Sequence, residues 1–379
     1  MLKGIHLTLL IGPAVPVPVP KVVVDALDSV QVNSDKENSG FQLTFNVSKA
    51  SPLMTAMLPA GYFDPMITRV VIIVTLNGFP NVLMDGIVTQ QQLAPSNEPG
   101  QTKLTITGED LSVLMDIVQF KIPYPGIPQV GQINLILAKY LAFGIVPVVI
   151  PPIVPLIKNP TEEWDMQTST DREFIRSMAS DCGYVFYVEP GPAPLTSIAY
   201  FGPDVRIPNP QPALNINMDA HTNVESLSFT LNGLAKKIVV VTILDPITKK
   251  IPIPIPVPNV SILRPPLGAR LTPPAKVEFP SELTKLKPDA AAQKILGLMW
   301  DNSDAISVSG SLDVLRYGRV LRSRMMVGVR GAGLAYDGLY YVNSVTHDIK
   351  RGEYKQNFSL SRDGLISLTP AVPTSSPLP

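Results

Sequence analysis

The chain has 379 residues, and its 31 Lys and Arg are matched by 31 Asp and Glu, so the formal net charge is zero. That length admits two or three domains, each large enough to bury a core. A hydrophobic fraction of 45% with only 16% charged residues excludes a disordered chain, and the charge balance argues against a nucleic-acid binder working through one broad basic face.

The single cysteine, Cys182, excludes an internal disulfide and a cysteine-based zinc site. The 40 prolines are about twice ordinary usage of roughly 5%. Eight fall within 123–160, seven within 190–212 and nine within 246–274. Proline has no amide donor, so such clusters mark loops, sheet edges or polyproline segments rather than helix interiors or central strands.

Residues 4–19 follow Lys3 like the core of a signal peptide, but Pro13, Pro16 and Pro18 interrupt them and no small-residue cleavage site follows. The Phe41–Val47 segment alternates Phe41, Leu43, Phe45 and Val47 with Gln42, Thr44 and Asn46, the pattern of a strand with one buried face. Arg69–Leu76 is a longer apolar strand, ended by the turn-forming pair Asn77-Gly78. Gly86–Leu93 and Lys103–Thr107 are further strands about a turn at Ser96–Gly100, and a short helix is expected over Glu109–Ile117.

Residues 133–157 carry Lys139 as their one charge and are long enough to cross a bilayer. Pro147, Pro151, Pro152 and Pro155 occupy the second half, so the expectation is a helix over Ile133–Phe143, then an apolar extended loop that needs a covering neighbour, and no stable membrane span. Thr170 and Glu173 form a capping box, followed by Phe174, Ile175, Met178, Ala179 and Cys182 at helical spacing and by Gly183 as the stop. A strand over Tyr184–Val188 follows.

Val224–Thr230, Lys237–Leu244, Ile306–Ser309, Met325–Val329 and Leu339–Ile349 read as strands, and Asp289–Trp300 as a helix. In the last strand Tyr354, Phe358 and Leu360 share one face. Ile251–Pro258 alternates aliphatic residues with proline and reads as part of an extended arm over 246–274. An internal repeat is visible at an offset of 252 residues: Asp85-Gly86-Ile87 matches Asp337-Gly338-Leu339, Gly100 and Lys103 match Gly352 and Lys355, and Ile106 falls on Phe358.

No catalytic, cofactor or metal site emerges. His6, His221 and His347 lie far apart and read as surface or edge-strand residues. Cys182, on the apolar stripe of a capped helix, reads as a small buried hydrophobe. Glu162, Glu163 and Asp165 around Trp164 could serve as paired carboxylates for glycoside cleavage, but an acidic lead-in to a helical region explains them as well. Gly328, Gly331 and Gly333 precede no helix that could cradle a phosphate and read as a hairpin turn. Arg316, Arg319, Arg322, Arg324 and Arg330 place five cations in 15 residues with no carboxylate among them. They form either a solvated face or an electrostatic seam that meets an acidic partner or lines a channel.

Two stretches carry a family resemblance. Thr170–Val188 (TDREFIRSMASDCGYVFYV) resembles the helix-to-aromatic-strand segment of baseplate hub proteins, a group that includes phage late control gene D proteins and the N-terminal hub region of type VI secretion spike proteins. Met325–Asp363 resembles that family's C-terminal stretch through Gly338, Tyr340, Tyr341, Val342, Val345 and His347, and Phe41–Asp116 fits its opening unit in order and spacing.

The resemblance implies an α+β, mainly β fold: two tail-tube-like antiparallel β-barrels, a small inserted α/β domain and proline-rich extended arms. The expected divisions are 1–120, 121–212, 213–368 and a tail at 369–379. It further implies a non-enzymatic hub without cofactor, in which a homotrimer forms a pseudo-sixfold ring joining a hexameric inner tube to a trimeric spike. A separate spike protein, other baseplate components and cargo in the channel are the implied partners. Assembly in the bacterial cytoplasm, within a contractile phage tail or tail-like injection particle, is implied too. A tail-tip cell-wall hydrolase using Glu162, Glu163 and Glu173, and a secreted glycan-binding β-protein, are the alternatives.

Overall fold

A computed structural model describes the chain except residues 1–3, 14, 99–100, 156–160, 162–163, 207–208, 245–251, 258–263, 280–287, 301–303 and 370–379. The first third supplies β1 (Ile5–Pro13), β2 (Val17–Pro18), α1 (Lys21–Ala26), β3 (Leu27–Ser34), β4 (Ser39–Val47), β5 (Thr68–Leu76), β6 (Phe79–Ala94) and β7 (Thr102–Asp110). Alternation sends Phe41, Leu43, Phe45 and Val47 of β4 into the main core as expected.

β5 is apolar without alternation because both of its faces are covered. Val70, Ile72 and Val74 join the main core, while Val71 and Ile73 pack outward with Val82, Leu10 and Leu195. Asn77 and Gly78 take φ of 51° and 88° and close the β5–β6 hairpin. Asp110 caps the helical turn Leu111–Asp116, accepting from the Ser112 amide at 2.9 Å and from the Ser39 amide at 3.0 Å.

The middle contains β8 (Ile122–Tyr124), α2 (Gln129–Ala138), β9 (Ile145–Val149), β10 (Asp165–Gln167), α3 (Asp171–Cys182), β11 (Val185–Pro190) and β12 (Ser197–Gly202). The capping box forms in full: Thr170 Oγ1 accepts from the Glu173 amide, and Glu173 reaches back to the Thr170 amide. Gly183 ends α3 at φ 69°. The apolar stretch after α2 includes a true strand, since β9 runs parallel to β12 in the sheet β11–β12–β9. Its alternation buries Ile145 and exposes Val146 and Val148.

The last part supplies β13 (Gln211–Asn215), β14 (Ser226–Leu231), β15 (Lys237–Leu244), β16 (Pro252–Val257), β17 (Gly268–Leu271), β18 (Lys276–Glu278), α4 (Pro288–Trp300), β19 (Ile306–Asp313), α5 (Val314–Tyr317), β20 (Met326–Arg330), β21 (Gly338–Lys350), β22 (Glu353–Arg362) and β23 (Gly364–Ser367). The proline-rich segment is not a lone arm. β16 pairs with β15 as an outer strand of a small sheet, and the segment after it contributes β17 and β18.

Among the described residues no sheet closes into a barrel, which corrects the expected pair of barrels. One open sheet of 13 strands runs β14–β19–β22–β21–β3–β4–β7–β6–β5–β1–β2, with β13 and β20 branching from β21. The reason lies at the junction: β21 residues 345–350 pair with β3 residues 29–34, so the two halves share one ladder instead of each closing on itself.

Duplication is nevertheless present in the topology. The set β3–β4–β7–β6–β5 repeats as β14–β19–β22–β21–β20, each with a helical turn, Leu53–Met57 or α5, before its three-strand meander. Both long hairpins carry one bulge at the same place, Thr89 opposite Thr107 and Gly108 in one, and Asn343 opposite Ser359 and Leu360 in the other. Structural register therefore matches Lys103 with Lys355 and Ile106 with Phe358, as the sequence offset does. The Asp85-Gly86 and Asp337-Gly338 pairs lie two positions out of it.

Candidate assembly interface

The arginine-rich segment begins at α5, where Asp313 caps the helix by accepting from the Leu315 and Arg316 amides at 2.8 and 3.1 Å, and Gly318 closes it at φ 81°. Residues 318–325 then cross the molecule without a strand ladder, so their backbone groups need other partners. The Arg324 amide and the Met325 carbonyl pair with the backbone of Val342, and two buried amide side chains serve Leu321 and Arg322.

Gln211 Nε2 donates to the Arg322 carbonyl and Gln211 Oε1 accepts from the Arg322 amide, both at 2.8 Å. Gln356 does the same for Leu321, at 2.8 Å to the carbonyl and 3.0 Å from the amide. The segment that carries the arginines is thereby held rigid without regular structure.

The five arginines do not share one environment. Arg316, Arg319 and Arg322 are exposed, and Arg330 is half-buried on β20. Arg324 is an internal clamp: it sits at φ 61°, its guanidinium donates to the carbonyls of Asp35 and Lys36, pairs with Glu189 at 3.3 Å and lies 4.1 Å over the Tyr187 ring. It thus ties the β3–β4 turn to β11.

Arg319 and Arg322 come together on a cleft of about 490 Å³. Its other walls include Phe79, which is 71% exposed just after the Asn77-Gly78 turn, together with Asn81, Asn209, Gln211 and Met325. Asn81 accepts from the Arg322 guanidinium at 3.3 Å. Among the described residues no carboxylate lines this cleft. Sequence reading missed Phe79 and both glutamines. Gln356 was detectable, because it occupies the same strand face as Tyr354, Phe358 and Leu360, where a polar residue needs a buried partner.

The remaining polar residues serve the fold. His347 is buried in a central strand, not at a surface or edge as expected, because β21 is paired on both sides there. Its Nδ1 lies 2.7 Å from Tyr354 Oη and 3.1 Å from Gln356 Nε2, and burial, with Arg322 nearby, lowers its pKa to about 3. Cys182 is buried and its thiol is pushed up to about 12 by burial and Asp181.

Arg69 and Asp85 form a buried bidentate pair at 2.7 Å, and Arg69 also reaches the Leu195 carbonyl at 3.3 Å. Asp204 joins Arg206, Arg264 and Tyr341 in a second buried network; burial raises its pKa, yet the two arginines and the Tyr341 hydroxyl hold it below the usual range. Glu173 is committed to its capping box, while Glu162 and Glu163 lie outside the described residues. Among the described residues no cluster of three His, Cys, Asp or Glu side chains could hold a metal, and no helix is long and apolar enough to cross a membrane.

No protein-family model and no curated protein matches the chain by sequence. Solved structures do match its fold. A tail protein from Neisseria meningitidis MC58 superposes with a TM-score of 0.58 at 14% identity, over 96% of this chain and 98% of that one. The 43 kDa tail protein of prophage MuSo2 from Shewanella oneidensis gives 0.56 at 10% identity, over 94% and 98%. The chain has the fold of phage tail proteins. The same fold extends to an E. coli component of the type VI secretion system, itself described as similar in structure to the T4 bacteriophage tail proteins gp27 and gp5, with a TM-score of 0.51 at 11% identity over 93% of this chain and 77% of that one.

Proposed function

We propose that this chain is a structural baseplate hub, assembled in the bacterial cytoplasm into a phage tail or a tail-like injection particle. The observation that carries the reading is the repeated five-strand topology within one chain, on a fold shared with tail proteins and a type VI secretion component. Three copies would present six similar units, so a trimeric ring can face a sixfold tube on one side and a threefold spike on the other.

The work is done by complementary surfaces, with no reaction assigned to any residue. Arg316, Arg319, Arg322 and Arg330 are offered as the electrostatic contribution to subunit contacts or to a channel, whereas Arg324 is engaged inside the chain with Glu189 and Tyr187. The functional divisions follow the chain as 1–120, 121–212, 213–368 and 369–379. The test is the mass of the purified chain in solution, alone and with its spike protein, followed by particle imaging. A species of about 123 kDa, three times the 41.0 kDa chain, with a threefold ring and a central bore is expected. A monomer that ignores both spike and tube proteins overturns the reading.

A further inference from the structure

The duplicated topology leaves one strand position unfilled. In the second half, β21 runs past its bulge and offers residues 345–350 to β3, with Val345 opposite Ser34 and Lys350 opposite Ser29. In the first half, β5 covers β6 only as far as Ile87. Beyond the Thr89 bulge, residues 90–94 of β6 pair with β7 on one side and with no described strand on the other. The two bulges are approached alike: the Met66 amide donates to the Val88 carbonyl at 2.7 Å and the Arg324 amide to the Val342 carbonyl at 2.8 Å, with φ of 65° at Met66 and 61° at Arg324. The counterpart of β3 in the repeat is β14, the end strand of the large sheet, which pairs with β19 alone among the described residues.

The ladders fix a register for filling that position. Gln91, Ile106, Leu43 and Val30 lie opposite one another in succession across β6, β7, β4 and β3, as Val345, Phe358, Gly310 and Leu227 do across β21, β22, β19 and β14. The Val345–Ser34 pair of the internal junction therefore maps onto Gln91 with Leu231, His347–Val32 onto Leu93 with Phe229, and Lys350–Ser29 onto Ser96 with Ser226. β14 lies six strands away from β6 in the same open sheet, so the partner is a second copy. We infer that residues 91–96 at the outer edge of β6 in one copy receive β14 of a second copy as an antiparallel strand, in the register of the β21–β3 junction.

Both edges suit this contact. Residues 91–96 and 226–231 carry no charge, although charge is a common guard of an open edge. Leu93 and Leu231 are each 42% exposed, and the register sets Leu93 against Phe229, whose ring already packs at 4.9 Å on Tyr336. Pro95, which has no amide donor, falls next to the end of the ladder. The contact rests on the ring reading above for its closure: it joins two different edges, so copies add head to tail, and contacts between copies alternate with the junctions inside them.

The test is register-specific cross-linking of the full chain, alongside sedimentation over a concentration series. Opposed Cα atoms in an antiparallel ladder lie about 4.5–5.5 Å apart, within the roughly 4.4–6.8 Å that a disulfide spans. Gln92→Cys with Thr230→Cys, both exposed and opposed in this register, is expected to give covalent dimers and trimers on mild oxidation, reversed by a thiol reductant. Gln92→Cys with Ser226→Cys moves the second thiol four residues along the strand and should give at least about tenfold less product. Gln92→Lys with Thr230→Lys sets like charges opposite each other and should weaken self-association about fivefold. Circular dichroism of each variant confirms that it folds. A parent trimer whose Gln92→Cys, Thr230→Cys form does not cross-link, or links no better than the shifted pair, overturns this contact and leaves the ring reading standing. A parent that stays monomeric at every concentration overturns the ring reading. Oxidation of the concentrated cysteine variants then decides the edge by itself: dimers selective for the opposed pair support it, and their absence overturns it.

Discussion

Replacing Gln356 by leucine tests whether side-chain amides, rather than a ladder, hold the arginine-bearing segment. Gln356 is fully buried and bonds both the carbonyl and the amide of Leu321, with a third contact to His347 Nδ1. Leucine keeps the volume and apolar packing but leaves two buried backbone groups without partners. Each unsatisfied group costs about 1–3 kcal/mol, so the expected loss for two is about 2–6 kcal/mol, a large share of the roughly 5–15 kcal/mol that typically keeps a domain folded.

Urea denaturation gives the loss, and native-state hydrogen exchange locates it. The Leu321 and Arg322 amides should exchange at least tenfold faster, with β4 and β7 amides little changed. Glutamate at the same position keeps an acceptor for the Leu321 amide but no donor for its carbonyl, and should fall between the two. A Gln356→Leu protein within about 0.5 kcal/mol of the parent, with unchanged exchange at Leu321, would refute the clamp.

Three further outcomes follow from buried groups and from the proline strand. His347 has a folded pKa of about 3 against about 6.5 unfolded, so its contribution to stability is complete above about pH 6.5 and is lost as pH falls toward 3. The parent should lose about 2 kcal/mol more than His347→Asn between pH 6.5 and 5, read from urea midpoints. Arg69→Met strands the Asp85 carboxylate among apolar neighbours and should cost about 3–5 kcal/mol, whereas Arg69→Met with Asp85→Leu should recover most of it; denaturant curves of the three proteins decide. Substituting valine for Pro252, Pro254 and Pro256 together gives β16 three outward amide donors and should produce concentration-dependent growth in light scattering that the parent does not show.

The parts legible in sequence are those where a local rule and the tertiary environment agree. β4, β22 and α3 were all recoverable, since alternation or a capping box states the buried face and the ends directly. β1 was obscured because its apolar run, interrupted by prolines, has no alternation to separate it from a signal-like core. It is a strand because β5 offers it a full nine-residue ladder. β9 was hidden by Pro147 and becomes a strand only through β12, about fifty residues later.

Sheet closure was beyond reach for a related reason. Nothing in β3 or β21 alone announces that they pair with each other across more than 300 residues, yet that pairing makes one open sheet out of two repeated units. The arginine group shows the same limit. Five residues close in sequence divide into a clamp, a cleft wall and exposed cations according to distant partners such as Glu189, Gln211 and Asn81.

The proline surplus acquires a physical role at the sheet edges. Pro18, Pro123, Pro147, Pro190, Pro212 and the three prolines of β16 all lie on strands with one paired neighbour among the described residues, and Pro13 and Pro80 lie at strand ends, beyond the reach of a second ladder. β16 shows the logic most clearly. Ile253, Ile255 and Val257 alternate with the prolines, so the amides that exist are directed to β15, and the outer edge offers no donor to a passing strand. Ser226–Leu231 and the first half of β1 carry no proline and keep their outer donors. The small sheets thus carry proline on several of their edge strands, which discourages indiscriminate strand addition there, while the large open sheet keeps donors at β14 and along the first half of β1. In the proposed hub, recognition then falls to the open β14 edge and to shaped side-chain surfaces such as the Arg319–Arg322 cleft, whose described lining carries two cations and no carboxylate.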